Sequence, residues 1–297
     1  MPELPEVEVV RRGLESHILG RRFASVEVFH PRAVRGFDPV SFSSLLDATR
    51  IRSVDRRGKY LWMVVEGDSG ASEQALFVHL GMSGQMLVNR ETQPVGKHER
   101  IRATFTDGSV LSFVDQRTFG RWAVMSLMPD PHGTADAIGR PRLIPEAVAH
   151  VAMDPLETAF TEDDRHLDNT ITRIKAKNSE IKRVLLDQTV IAGIGNIYAD
   201  EALFAAGIRP RRRASGLSRP AIRRTIGHAR AVMLRALDEG GTSFDSLYVN
   251  VNGSSGYFSR SLQVYGREGK PCKVCGTPIK RVQFGGRSSH YCPVCQR

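Results

Sequence analysis

The 297-residue chain is 41% hydrophobic and 25% charged, the composition of an ordinary folded protein of one large or two smaller domains, which excludes a peptide, wholesale disorder and a collagen-like repeat. No run approaches the roughly 18 apolar residues of a membrane span, and Met1–Glu6 is too acidic and proline-rich for a signal peptide, so a cytoplasmic protein is expected. The net charge of +10 is unevenly spread, because 209–297 carries 17 Lys+Arg against 4 Asp+Glu while 1–208 carries 25 against 28. A basic final third supplies either a phosphate-binding field or a solubilising face.

In chain order, Pro5 sits where a first helical turn tolerates proline, and Val7, Val10, Leu14 and Ile18 follow at helical spacing until Gly20. From Phe23 to about Met125 the texture changes to short runs rich in Val, Phe and Leu, such as Lys59–Glu66, Ala75–Leu80, Ile101–Thr106 and Val110–Val114. Asp107-Gly108 reads as a two-residue hairpin turn, and the whole as a β-rich domain, sandwich or barrel. Residues 128–155 hold Pro129, Pro131, Pro141, Pro145 and Pro155, and read as a partly exposed connection with a short helix near Glu146–Val151. From Asn178 helical spacing returns: Ile181, Val184, Leu185 and Gln188 before Gly193, then Tyr198–Ala206 before Gly207, then a segment capped by Ser218 and running to Leu237. The Ser, Asn, Gly and Tyr run between Ser243 and Ser259 reads as a mobile loop.

All four cysteines fall in the last 26 residues, as two C-x2-C pairs, Cys272/Cys275 and Cys292/Cys295. That spacing fits one tetrahedral structural Zn2+ in a closed site, with Ile279–Phe284 and Ser288–Tyr291 forming a hairpin about Gly285-Gly286. Two disulfides are the alternative, and they conflict with a reducing cytosol. The stretch Ile191-Ala192-Gly193-Ile194-Gly195-Asn196 lacks both the preceding strand and the third glycine of a dinucleotide site. It is either a phosphate-facing turn between helices, with Asn196 aimed at the anion, or a plain packing turn.

Chemistry, if present, lies at the N-terminus. Removal of Met1 leaves Pro2 with a free secondary amine, which condenses with an aldehyde or sugar C1′ only to a cationic iminium, an electron sink that acidifies the neighbouring C–H. Glu3 is adjacent and able to serve as the proton donor. The alternative is that Pro2 and Pro5 merely shape a helix entry.

Six segments carry a resemblance: Met1–Leu14 (MPELPEVEVVRRGL), Arg57–Leu61 (RGKYL), His79–Gly84 (HLGMSG), Asp115–Gly120 (DQRTFG), Leu186–Glu201 (LDQTVIAGIGNIYADE) and Val264–Gln296 (VYGREGKPC through CPVCQ). In matching order over nearly the whole chain, they resemble bacterial formamidopyrimidine-DNA glycosylases. Endonuclease VIII is similar in the zinc module and glycine turn but reads Pro-Glu-Gly-Pro where this chain has Pro2-Glu3-Leu4-Pro5, so the leucine favours the purine-lesion branch.

The resemblance implies an α+β fold: a β-sandwich with a leading helix over 1–135, a linker over 136–160, a helix-two-turn-helix domain over 161–245, and a lesion loop with a zinc-finger β-hairpin over 246–297. It implies a bifunctional DNA glycosylase and AP lyase that excises 8-oxoguanine and formamidopyrimidines from double-stranded DNA and cleaves the strand by β,δ-elimination. The protein would act as a monomer in the cytoplasm, at the nucleoid when bound. Pro2 is then the nucleophile, Glu3 the acid and Lys59 a further catalytic and phosphate-contacting group. Met82, Arg117 and Phe119 fill the gap left by the flipped nucleotide. Lys182, Asn196 and Arg287 join Lys59 on phosphates, and Glu6 and Tyr257 line the lesion pocket. Taken singly, Met82 or Phe119 reads as core, Lys59 or Lys182 as a solvated charge, and Glu6 as a carboxylate favoured by the helix dipole. Val9 replaces the usual Thr, Val151-Ala152-Met153-Asp154-Pro155 replaces a Leu-Gly-Pro-Asp-Pro-like stretch, and the connection near 128–145 is longer than usual. A non-catalytic zinc-bearing damage binder is the rival class; loss of Pro2 or Glu3 would mark it, and both are present. A zinc-ribbon transcription factor leaves the N-terminal motif unexplained.

Overall fold

The computed structural model describes residues 2–67, 73–89, 94–135, 139–241, 251 and 258–297. They divide into two compact units, one of 1–149 with 239–257 and one of 150–238 with 258–297. Tyr257 and all but Val251, Phe258 and Ser259 of the expected 243–259 loop lie outside the described residues.

In the first unit α1 (Leu4–Ile18) buries Val7, Val10, Leu14 and Ile18 along one face, the stripe expected from their spacing. The sandwich is built from β1 (Phe23–Val28), β2 (Arg50–Arg57), β3 (Tyr60–Glu66), β4 (Gln74–His79), β5 (Gly84–Asn89), β6 (Glu99–Phe105), β7 (Val110–Asp115), β8 (Arg121–Pro129) and β9 (Leu143–Pro145). One antiparallel sheet runs β1-β6-β7-β5 and the other β2-β3-β4-β8-β9. Phe23, Phe105, Leu111 and Phe113 of the first sheet and Ile51, Leu61, Met63, Val78 and Trp122 of the second share one apolar core with the α1 stripe. The pairs β2–β3, β3–β4, β6–β7 and β8–β9 join neighbours in sequence, whereas β1–β6, β5–β7 and β4–β8 join distant strands, and each buried face removes apolar area from water at roughly 25 cal/mol per Å2. The turn at Asp107-Gly108 is wider than two residues: Phe105 N–H donates to Ser109 O at 2.9 Å, and the Asp107 carboxylate accepts from Ser109 N–H at 3.0 Å. A short helix α2 (Pro39–Leu46), capped by Asp38 and escaping the sequence reading, packs Phe42 and Leu46 into the same core.

The second unit holds α3 (Thr158–Glu162), α4 (Asp164–Lys175), α5 (Ile181–Leu185), α6 (Asn196–Ala205) and α7 (Arg219–Asp238), then the hairpin of β10 (Lys280–Phe284) and β11 (Arg287–Tyr291). The hairpin register is Phe284↔Arg287, so Gly285-Gly286 is the turn, at φ 52° and 77°, conformations that glycine alone adopts without strain. In place of the helix expected near Glu146–Val151, a single 3-10 turn forms over Glu146–Val148. Among the described residues no helix is long and apolar enough to cross a membrane.

Candidate active site

Pro2 and Glu3 are both buried, Glu3 as the N-cap of α1. Glu6 folds back so that its carboxylate accepts from Glu3 N–H at 2.9 Å, fixing the backbone of the residue that follows Pro2. This capping box, beyond the dipole interaction expected of a first-turn Glu, leaves Glu6 buried beside Gly241, where a Cβ would lie 3.7 Å from the Glu6 carboxylate.

Further along α1, Glu8 accepts from Arg11, Arg12 and Arg56 at 2.8–3.1 Å. Burial alone would raise the Glu8 carboxyl, but the hydrogen bonds and charges of Arg11 and Arg56 outweigh it and hold it down at about 2. Arg56 also donates to Gly58 O at 3.3 Å, the carbonyl immediately before Lys59. Lys59 is half-buried in the Gly58-Lys59 turn between β2 and β3.

Met82 and Phe119 are 38% and 45% exposed, so neither is a core residue; Arg117 is exposed too, its guanidinium 5.2 Å from the Phe119 ring centroid. What holds this exposed loop is Asp115, fully buried at the end of β7, a residue to which sequence reasoning assigned no role. It accepts from Ser83 Oγ at 2.5 Å, Arg117 N–H at 3.1 Å and Gly120 N–H at 2.7 Å. Arg35 adds donors to Thr118 O and Phe119 O. The loops bearing Met82 and Phe119 touch backbone to backbone, since a Cβ on Gly81 would meet Gly120 N at 2.5 Å. Thr118, between Arg117 and Phe119, is held at φ 54°, a strained conformation for a β-branched residue that only an over-determined loop sustains. His79, below the same loop, accepts from Gly81 N–H at 3.2 Å, and burial with the charges of Arg121 and Arg35 pushes its imidazole pKa down.

In the second unit the four Cys Sγ atoms lie within 4.8 Å of one another, with Cys272–Cys295 at 3.9 Å and Cys275–Cys292 at 3.4 Å. A tetrahedral zinc with Zn–S of about 2.3 Å needs sulfurs about 3.8 Å apart, so the donor set fits a closed, structural Zn2+. Arg287 is exposed at the hairpin tip, beside a groove it lines with Glu268, Arg281 and Gln283.

The structure corrects one expected phosphate contact. Lys182 is fully buried, paired with Asp200 at 2.7 Å and donating to Ser288 O at 3.1 Å, its ammonium 5.5 Å from the Phe284 ring centroid. It fastens the hairpin from inside instead of reaching out from the surface. Asn196 opens α6 and spends its Nδ2 on the same Ser288 O at 2.9 Å. Asp200 also accepts from Ser289 Oγ and His290 N–H, while Glu201 accepts from the N–H groups of Gln263, Val264 and Tyr265, each at 2.9 Å. The signal the sequence offers for this contact is a pair of carboxylates, Asp200 and Glu201, in an otherwise apolar helix.

Three family models match the chain: the formamidopyrimidine-DNA glycosylase N-terminal domain over residues 1–122, its H2TH domain over 151–247, and a zinc finger found in FPG and IleRS over 269–297. The chain belongs to the formamidopyrimidine-DNA glycosylase family. Members similar to it include those of Corynebacterium jeikeium, 58% identical over all of both chains, and Nocardia farcinica, 55% identical over all of this chain and 98% of that one. Among solved structures, Lactococcus lactis Fpg in complex with DNA containing an abasic site matches at 31% identity and a TM-score of 0.80 over 99% of both chains. A variant of that glycosylase bound to a Fapy-dG containing DNA matches at 32% and 0.81 over the whole of each.

Proposed function

We propose that this glycosylase excises oxidised purines, 8-oxoguanine and formamidopyrimidines, from duplex DNA and cleaves the resulting abasic strand by β,δ-elimination. The reading is carried by the buried Pro2-Glu3 pair at the head of α1, its backbone pinned by Glu6. With Met1 removed, the Pro2 nitrogen attacks C1′ and the base leaves; the C1′–O4′ bond then breaks, O4′ taking a proton, and the iminium so formed withdraws electrons from the opened sugar. The C2′ proton is then lost as the 3′ phosphate departs, and the C4′ proton as the 5′ phosphate departs. Glu3 handles protons on the sugar, and the half-buried Lys59 sits in a turn tied through Arg56 and Glu8 to the helix that Pro2 and Glu3 lead.

Extrusion of the damaged nucleotide costs a few kcal/mol and leaves a hole in the stack. Phe119 is the apolar wedge, Arg117 the donor to the estranged cytosine and Met82 the filler, all three exposed or partly exposed on the Asp115-clamped loops. Glu6 and Tyr257 recognise the lesion in this reading. Lys59, Arg287 and the first-turn N–H groups of α6 at Asn196 contact phosphates, and the zinc, held by Cys272, Cys275, Cys292 and Cys295, keeps the Arg287 hairpin folded. The protein works as a monomer.

Borohydride reduction in the presence of a lesion-bearing duplex tests the reading. A covalent adduct is expected on the N-terminal peptide; retention of Met1 should abolish it, and Glu3→Gln should lose base excision far more than duplex affinity. An adduct mapping to Lys59 in the unmodified protein would overturn the secondary-amine mechanism.

A further inference from the structure

The described limbs of the connection after β8, 130–135 and 139–142, fold onto the turn that carries Lys59. Arg57, two residues before Lys59, is fully buried with its guanidinium paired to both oxygens of Asp130, at 2.8 and 2.5 Å. Asp130 lies just past the end of β8, and its carboxylate also accepts from Thr134 Oγ1 and from His132 N–H at 3.0 Å. Burial alone would raise this carboxyl, but the donors, Arg57 foremost, hold it well below the usual carboxylate range. On the returning limb, Arg142 donates to Arg56 O at 3.1 Å and lies 5.8 Å from the Trp62 ring centroid. The two limbs are joined by Asp130 N–H to Arg142 O at 2.8 Å and Arg142 N–H to Thr134 O at 2.9 Å.

Arg56 and Arg57 are thus gripped from two sides. Glu8 of α1 takes the Arg56 side chain, whose other end holds Gly58 O, while the β8–β9 connection takes the Arg57 side chain and the Arg56 carbonyl. A desolvated, bidentate Arg–carboxylate pair is a poor means of adding stability, because desolvation offsets most of its Coulomb gain. It is a good means of fixing geometry, since the planar fork admits one arrangement.

We propose that Asp130 is a positioning residue for Lys59, and that the β8–β9 connection is a brace holding the Lys59 turn against α1. The proposal rests on the reading of Lys59 as part of the excision site. A displacement of about 1 Å in a reacting group can cost on the order of 100-fold in rate, so the effect belongs in the chemical step and not in duplex affinity.

The test is single-turnover excision from an 8-oxoguanine duplex, alongside affinity for an uncleavable abasic-analogue duplex. Asp130→Asn should slow excision by about ten- to a hundredfold and change affinity less than about threefold. Combining it with Lys59→Ala should slow excision no further than Lys59→Ala alone, because the brace acts only through that side chain. Should Asp130→Asn fail to fold, the pair Arg57→Leu with Asp130→Leu removes both charges together, and Arg142→Gln removes the donor to Arg56 O along with the guanidinium's contacts to Trp62 and Asp55; each should show the same split, with Arg142→Lys restoring the rate. A folded variant that excises at the parental rate, loses rate and affinity equally, or adds its full penalty to Lys59→Ala overturns the brace. A parental protein that neither excises nor forms the borohydride adduct overturns the site reading, and the brace with it.

Discussion

Asp115 and Phe119 stand four residues apart and do opposite work. Phe119 is 45% exposed, so Phe119→Ala should shift the melting free energy by no more than about 0.5 kcal/mol while removing the wedge. Asp115 is fully buried and satisfies the Ser83 hydroxyl and two backbone N–H groups, so Asp115→Ala strands buried donors at about 1–3 kcal/mol. Both substitutions should depress excision of 8-oxoguanine, but only the second should lower the melting temperature. Thermal melts beside excision assays separate them, and a Phe119→Ala protein that melts early would return Phe119 to the core. The strain at Thr118 belongs to the same device: a residue held at φ 54° cannot relax while Asp115 and Arg35 grip the peptides around it.

At the scale of elements, α6 holds the zinc module through Asp200 and Glu201, and Lys182 joins that contact instead of the phosphate the resemblance implied. Lys182→Met removes a buried partner of Asp200, so it should destabilise by about 3–5 kcal/mol and leave the salt dependence of duplex binding unchanged. Arg287→Ala, at an exposed hairpin tip, should do the reverse, reducing the slope of log K against log salt by about one. If Lys182→Met lowers that slope, its ammonium reaches a phosphate after all. The α1 stripe, the hairpin about Gly285-Gly286, α6 and α7 were all legible, because each rests on local spacing or on a glycine turn. The amphipathic α4 was not, since DRHLDNTITRIK offers few apolar residues and buries only Thr170, Ile171 and Ile174. Nor were the ion pairs Glu8–Arg56, Arg57–Asp130 and Lys182–Asp200, whose partners stand 18 to 73 residues apart and which no local pattern announces. Of the candidate site, residue types at motif positions were readable; which charged side chain faces inward was not.

On the scale of the whole molecule, the first unit and the zinc module of the second differ in what sustains them. The first has a large shared core, whereas the zinc module's buried cluster is Val264, Cys272, Ile279 and Cys292, with Phe204 and Cys295 packed against it. A cluster that small, including metal ligands, cannot hold a hairpin by apolar burial, so its folding free energy must come largely from zinc. The chain carries an internal reporter of this difference: both of its tryptophans, Trp62 and Trp122, are fully buried in the first unit. Stripping the metal with a strong chelator should therefore cost duplex affinity, because Arg287 loses its platform, while tryptophan emission stays blue-shifted as in the untreated protein. Adding zinc back should restore binding without any change in that emission. A tryptophan spectrum that moves to longer wavelength in step with zinc release would show that the sandwich depends on the metal, and would overturn the independence of the two cores.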